Sequence, residues 1–312
     1  MKKRILYLLT FSLAIAFAAC KKGSGSDNNN TNNDQVAVHS DDQSRFSGEV
    51  DAISNDADIA LESSTNFSGR LQNVLGALSC DATASLNTTT NPMTITITYN
   101  GTNCLGNRTR TGVVVLSMAQ GTQWKNAGAT ITVSFQNLKI TRLIDNKSIT
   151  INGSQTYTNV SGGLLINLAS LGSITHSITS QGLSVTFDNG AQRSWQVAKQ
   201  RVFTFSNNNV VITTTGTHND GNNSNIAEWG TNRFGGAFTT AITSPLIIRS
   251  DCSFRLTSGA VAHTLPLFNV NVTFGLNASG NPTTCPGAGS SYYFKAVWTG
   301  ANGDTLTVIR PY

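Results

Sequence analysis

From residue 80 onward the chain alternates apolar and polar side chains with a period of two. Met93, Ile95, Ile97 and Tyr99 stand between Thr94, Thr96 and Thr98, so a strand here carries an apolar row on one face and hydroxyls on the other. Ala129, Ile131, Val133 and Phe135 repeat the pattern. So do Leu183, Val185 and Phe187, then Phe203 and Phe205, then Phe268, Val270, Val272 and Phe274. Turn formers separate the runs: Asn100-Gly101, Asn152-Gly153, Gly162-Gly163, Asp188-Asn189-Gly190 and Asn302-Gly303. Strict alternation suits antiparallel sheet with one buried and one wet face. The expected fold class is therefore mainly β, a sandwich or a large meander, with one N-terminal helix.

That helix is predicted over 40–62, where the period changes. Phe46, Val50, Ile53, Ala57 and Leu61 recur every three or four residues with acidic residues between them. Ser40-Asp41-Asp42-Gln43 fits a capping box, the Ser oxygen taking an amide of the first turn and Gln43 reaching back. Gly48 inside the segment costs about 1 kcal/mol relative to Ala. An apolar stripe of this kind packs on the face of a sheet. Together these elements define a β-rich domain over 40–312. Its portions 80–175 and 176–312 share a layout of Cys, alternating strand, Cys, Gly and strand. Separate disulfide-closed hairpins account for that as well as duplication does.

The first twenty residues are of another kind. Lys2, Lys3 and Arg4 lead into an apolar run from Ile5 to Ala19, which ends in small residues and Cys20. The run is shorter than the roughly 20 residues a spanning helix needs, and it has the layout of a secretory signal over 1–19. Phe17-Ala18-Ala19-Cys20 resembles the lipobox of bacterial lipoproteins, with Phe17 where that family prefers Leu. The resemblance implies cleavage before Cys20, a lipid on its thiol and an outer-membrane protein facing the periplasm or the cell surface. Ala16-Phe17-Ala18 also fits ordinary signal peptidase, which would release a soluble product. Residues 20–39, rich in Asn, Gly, Ser and Lys, are expected to be a flexible tether from that lipid.

Composition narrows the partners. Three of the five surplus positive charges of the chain sit in the leader, so no basic patch for nucleic acid remains. Charged residues make up 12% of the chain, about half the usual share, and polar surface comes from Thr, Ser, Asn and Gly instead. Such a chain favours strands over long helices.

Beyond Cys20, the cysteines are Cys80, Cys104, Cys252 and Cys285, an even set suited to an oxidising compartment. Of three possible pairings, Cys80–Cys104 with Cys252–Cys285 is the simplest, each joining strands a hairpin apart. A four-cysteine zinc site is the alternative, but paired C-x-x-C spacing is lacking.

No metal, nucleophile-elbow, P-loop or dinucleotide signature appears, and His39, His176, His218 and His263 stand alone. No cofactor and no catalytic residue is therefore assigned. Glu228 is the last Glu of the chain and sits in the most chemically varied stretch, Ile226 to Gly236. Glu228, Trp229, Asn232 and Arg233 could bind a sugar, with an indole for stacking and hydrogen-bonding groups beside it. The plainer reading is a loop whose Trp and Phe anchor it to the core. His218 to Asn225 has clustered oxygens but lacks the Gly and Glu of a calcium loop, and reads as a polar hairpin tip. Trp124, Trp195 and Trp298 read as core residues.

The later stretch Gly230-Thr-Asn-Arg-Phe-Gly, with Cys252 and the Cys285-Pro-Gly turn, resembles uncharacterised Bacteroidota lipoproteins, a resemblance that implies no activity. The expectation is an envelope-anchored, non-catalytic β protein with a structural or binding role. Its partners would be membrane lipid through Cys20 and either a glycan or another envelope protein. A carbohydrate-binding lipoprotein of polysaccharide uptake is the alternative, with a hydrolase or a lipid carrier behind it.

Overall fold

A computed structural model describes residues 27–69, 78–266, 268–285, 290–299 and 305–312. The leader, Cys20, the first residues of the expected tether and the Asn302-Gly303 turn lie outside the described residues.

The period-two pattern becomes fourteen antiparallel strands in one sheet. The first seven are β1 (Ala82–Asn87), β2 (Met93–Thr102), β3 (Arg108–Met118), β4 (Ala129–Arg142), β5 (Ser148–Asn159), β6 (Ser173–Phe187) and β7 (Gln192–Ser206). The rest are β8 (Asn209–Gly216), β9 (Ile226–Thr231), β10 (Ala237–Arg249), β11 (Arg255–Leu265), β12 (Phe268–Leu276), β13 (Tyr293–Thr299) and β14 (Thr305–Pro311). Each strand pairs with its sequence neighbour except around β8 and β9, so the chain is a meander. There one slot between β7 and β10 is filled by two short strands. β8 pairs Lys199–Ser206 of β7, and β9 pairs Trp195–Val197 nearer its start.

Most of the apolar rows read from sequence face inward; Phe205, at the end of its row, is exposed instead. Met93, Ile95, Ile97 and Tyr99 of β2 are buried, as are Ala129, Ile131, Val133 and Phe135 of β4. Alternation alone does not bend a sheet; bulges do. Register shifts interrupt the β3–β4, β4–β5, β5–β6 and β6–β7 ladders in turn. Others interrupt β10–β11 and β12–β13. At Phe135/Leu138 the extra residue Asn137 takes φ +50°, and the buried row moves from odd to even positions, continuing as Leu138 and Ile140. Facing it, Gly112 has φ +122°, and a Cβ there would stand 2.5 Å from the Asn137 carbonyl oxygen. These kinks curl the sheet around its helix.

The helix, α1 (Asp27–Ser63), is already formed at the first described residue, thirteen residues before the predicted start. Residues 27–39, expected to belong to a flexible tether, are helical, and Ser40 lies within the helix rather than capping it. Packing carries the helix past the misread cap: the His39 ring is buried 4.8 Å from that of Phe238. Nor does α1 lie on one face of a sheet. Phe46, Val50, Ile53, Ala57 and Leu61 are buried as the spacing predicts, yet so are Asp42, Glu49, Asp51, Asp56, Asp58 and Glu62 between them. Helix and strands share one apolar core, so the sheet wraps the helix instead of supporting it.

If the kinks make the curvature, Gly112→Ala should lower unfolding free energy by about 2 kcal/mol or more, through the blocked left-handed backbone and the Asn137 carbonyl. Gly106→Ala is the comparison: its φ is also positive, but an added Cβ meets nothing within 4 Å. Chemical denaturation of both variants should show the larger loss at Gly112.

Candidate functional site

An acidic helix inside a sheet needs cations, and the strands supply them from inward-facing positions. Arg110 of β3 makes a two-pronged hydrogen-bonded pair with Asp81 and lies 3.5 Å from Asp56. Its guanidinium also stands 4.4 Å from the centre of the Tyr99 ring, whose hydroxyl donates to Asp56 at 2.9 Å. Arg108 pairs with Glu49, and Arg142 with Asp41 and Asp145. On β7, Arg201 donates to Asn55 at 2.6 Å and approaches Asp58, which also faces His176 at 3.4 Å. His176 in turn lies between the rings of Trp124 and Phe203.

Lys199 is fully enclosed beside Glu228 at 2.7 Å and donates to Ser47. Burial by itself disfavours its ammonium, but Asp51 and Glu228 outweigh that and hold its pKa above the ordinary lysine value. It is a structural cation, with no free amine to act as a nucleophile or base. Glu62, at the end of α1, is pushed by burial up to about 7, against the pull of the Leu165 and Ile166 amides that its carboxylate accepts.

The four residues that the sequence grouped as a sugar site do not share a surface. Glu228 is wholly buried, ion-paired to Lys199 and accepting from the Trp195 indole at 3.1 Å and from Gln43 at 3.3 Å. Trp229, the next residue on the strand, points the other way and stacks on His218 with ring centres 4.1 Å apart. Asn232 spends its side-chain oxygen on the amides of Phe234 and Gly236, closing a turn. Arg233 pairs with Asp42 and Asp188 and lies over the Phe187 ring. Strand alternation splits the group: three members hold the fold together, and Trp229 alone keeps a half-exposed outer position. Trp124, Trp195 and Trp298 are buried.

The cysteines pair Cys80 with Cys104 and Cys252 with Cys285, each with a Cα–Cα distance of 5.1 Å. Among the described residues, Asp251, Cys252 and Cys285 bring three metal-type ligands together, but both sulfurs are held in a disulfide and offer no thiolate. At the 218–225 tip, one oxygen of Asp220 accepts from the amides of Asn222 and Asn223 and the other from the Asn223 side chain, so both are turned to the loop itself.

What sequence reasoning missed is an open cleft along α1. On one stripe of the helix, Ser44, Gly48, Ala52 and Asn55 are not covered by the sheet. Over Gly48 lies a cavity of about 480 Å³ walled by Ile140, Leu143, Ile144, Ile149, Phe294 and Pro311. A second lobe of about 290 Å³ runs along Ala52 and Asn55 toward Ile248, Phe254 and Phe274. The lobes share Ser44, Gly48, Asn107, Arg108, Ser291 and Tyr312, so they form one trough. Its rim carries Leu105, Leu143, Ile144 and Phe254, all exposed, Ile144 by 83%. Two buried side chains on the trough have oxygens that no group among the described residues bonds, Oε2 of Glu49 and Oε1 of Gln43. Burial pushes the Glu49 carboxyl up, against the pull of Arg108 and Arg110.

The signal for the cations was present in the sequence. Val197, Lys199, Arg201 and Phe203 occupy one phase of β7 and are buried together. A charge standing in the apolar phase of a strand calls for an interior partner. The trough left no such mark, because its walls come from α1, from β3 to β5 and from β10 to β14, far apart in the chain. No family model, curated protein or solved structure matches the chain.

Two measurements test the interior electrostatics. Arg110→Met should cost about 3–5 kcal/mol in denaturant unfolding, because Asp81 and Asp56 would remain buried without their cation. Arg249→Met, which breaks the exposed Arg249–Asp251 pair, should leave the unfolding midpoint unchanged. The second concerns acid. Burial holds His39 down to about 4 from an ordinary 6.5, and neither ring nitrogen has a hydrogen-bond partner among the described residues. A depressed histidine favours the fold above its unfolded pKa. That stability is lost as pH falls from 6.5 toward 4, by about 3 kcal/mol for this group. His39→Phe should flatten that limb of the stability–pH curve.

Proposed function

We propose that the chain is an envelope-anchored lipoprotein with a non-catalytic structural or binding role, exported by its leader and held to a membrane by lipid on Cys20. The observation that carries the non-catalytic part is the use of its ionisable groups. Asp42, Asp56, Asp81, Lys199, Arg110 and Arg233 are consumed in buried pairs, some between helix and sheet and some within the sheet. Catalytic groups need to reach a substrate and to hold a pKa matched to proton transfer; these are sealed from solvent, and Lys199 is held in its charged form. The binding part is supported by the trough, an apolar concavity of ligand size with a few convergent polar groups. The carbohydrate reading keeps one element, the half-exposed Trp229 stacked on His218.

The anchor is tested by metabolic labelling with a palmitate analogue in the producing bacterium. Label should be incorporated into the native chain and lost in Cys20→Ala. Persistent labelling of the variant would refute lipidation at Cys20, and no labelling of either chain would return the protein to the soluble secreted class.

A further inference from the structure

Two histidines that stand alone in the sequence meet in the interior. His39 of α1 and His263 of β11 are both buried, with ring centres 5.3 Å apart and ring planes at 77°. Two imidazoles sharing one ion, each bound at about 2.0–2.1 Å with a bent angle between them, place their ring centres roughly 5–5.5 Å apart. Among the described residues nothing bonds either ring nitrogen of His39 or Nε2 of His263. Buried polar atoms are normally satisfied, so three unmet nitrogens in one ring contact require a reason. Burial keeps both imidazoles neutral near pH 7, which is the form that ligates metals.

A third donor stands one helical turn further on. Gln43 shares the helix face of His39, and its buried Oε1 has no partner among the described residues. A carboxylate only accepts, and that of Glu228 takes the amide nitrogen of Gln43 at 3.3 Å, which turns the amide oxygen elsewhere. His263 is held in the same manner. Its Nδ1 lies 2.9 Å from the Thr240 hydroxyl, so Nε2 is the open nitrogen. A fixed partner on the far side of each donor is how proteins orient metal ligands. Strand register places these partners: Glu228 stands opposite Thr240, and Thr240 opposite His263, in one inward row across β9, β10 and β11. Two openings border the cluster. Gln43 also lines the smaller trough lobe, and a separate cavity of about 360 Å³ is lined by Ser40 and Trp298.

We propose that His39, His263 and Gln43 bind a late first-row metal ion, zinc or copper, through two imidazole nitrogens and one amide oxygen. His263 ligates through Nε2 while its Nδ1–H donates to Thr240. Imidazole suits these ions, whereas magnesium and calcium take oxygen ligands. The site goes beyond the binding role above and uses neither the apolar walls of the trough nor the anchor.

The test is a titration of the full chain, expressed without acylation and stripped of metal, with Zn2+ and Cu2+ against a competing chromophoric chelator. One ion per chain is expected, with a raised melting temperature, and Mg2+ should do neither. His39→Phe and His263→Leu should each weaken binding at least about hundredfold. Thr240→Val removes only an outer partner and should weaken it about tenfold or more. His218→Ala, in the outer loop, should leave it unchanged. X-ray absorption of the zinc-loaded native chain should show two imidazoles and no sulfur around the ion, a readout that needs no variant to fold. Absence of binding, both on titration and on refolding with the metal present, overturns the proposal. Undiminished binding by a folded His263→Leu variant does so too, since it places the ion elsewhere, as does a metal environment without two imidazoles.

Discussion

Burying an acidic helix is the constraint on which the rest of the structure depends. A carboxylate taken out of water costs several kcal/mol unless a cation and hydrogen bonds replace its hydration, and α1 presents six buried acids. The strands, and the turn after β9, therefore have to carry Arg and Lys on the face that would otherwise be wholly apolar, at heights that match the helix. Arg110 meets Asp56, Arg108 meets Glu49, Lys199 meets Asp51, and Arg233 meets Asp42. Sliding α1 by one turn would separate all of these at once. Apolar contacts such as Phe46 on Trp195 supply attraction without such a register. The ion pairs position the helix; the apolar core holds it.

Surrounding a helix also dictates how the sheet must bend. A flat meander of this width would leave most of α1 in water. The bulges that cross β3 to β7 give the curvature, and the break of phase at Asn137 shows how locally it is made. The wrap is incomplete on the stripe from Ser44 to Asn55. There, the N-terminal end of β3 and the end of β4 face the chain's last strands across the helix, and the trough lies between them. The trough is thus a consequence of the sheet's closure rather than of a separate loop.

The helix also links this core to the proposed anchor. Asp27, where the described part of α1 starts, stands seven positions after Cys20, and the sheet encloses the same helix further on. Lipid attachment at Cys20 would hold the domain close to the bilayer surface, with the exposed apolar rim of the trough on the same molecule.

The strands, their inward rows, the apolar stripe of the helix and the simplest disulfide pairing were legible from the sequence, because each depends on neighbours at fixed short spacing. Met93 to Tyr99 must alternate if one face is to be dry, and Phe46 to Leu61 must recur at helical spacing if one stripe is to be dry. Other features rest on residues far apart in the chain. The sequence placed acids between those apolar helix positions and suggested water; the tertiary structure placed cations opposite them, since Lys199 and Arg201 come from a strand more than a hundred residues away. Glu228, Trp229, Asn232 and Arg233 looked like one site because they are adjacent, yet strand alternation and a turn send them in different directions. Gly48 read only as a weakness in a helix until the strands around it left its side open. Local spacing determines which face of an element is dry; which residues then meet across the interior, and where the wrap stays open, is decided only when the whole sheet closes on the helix.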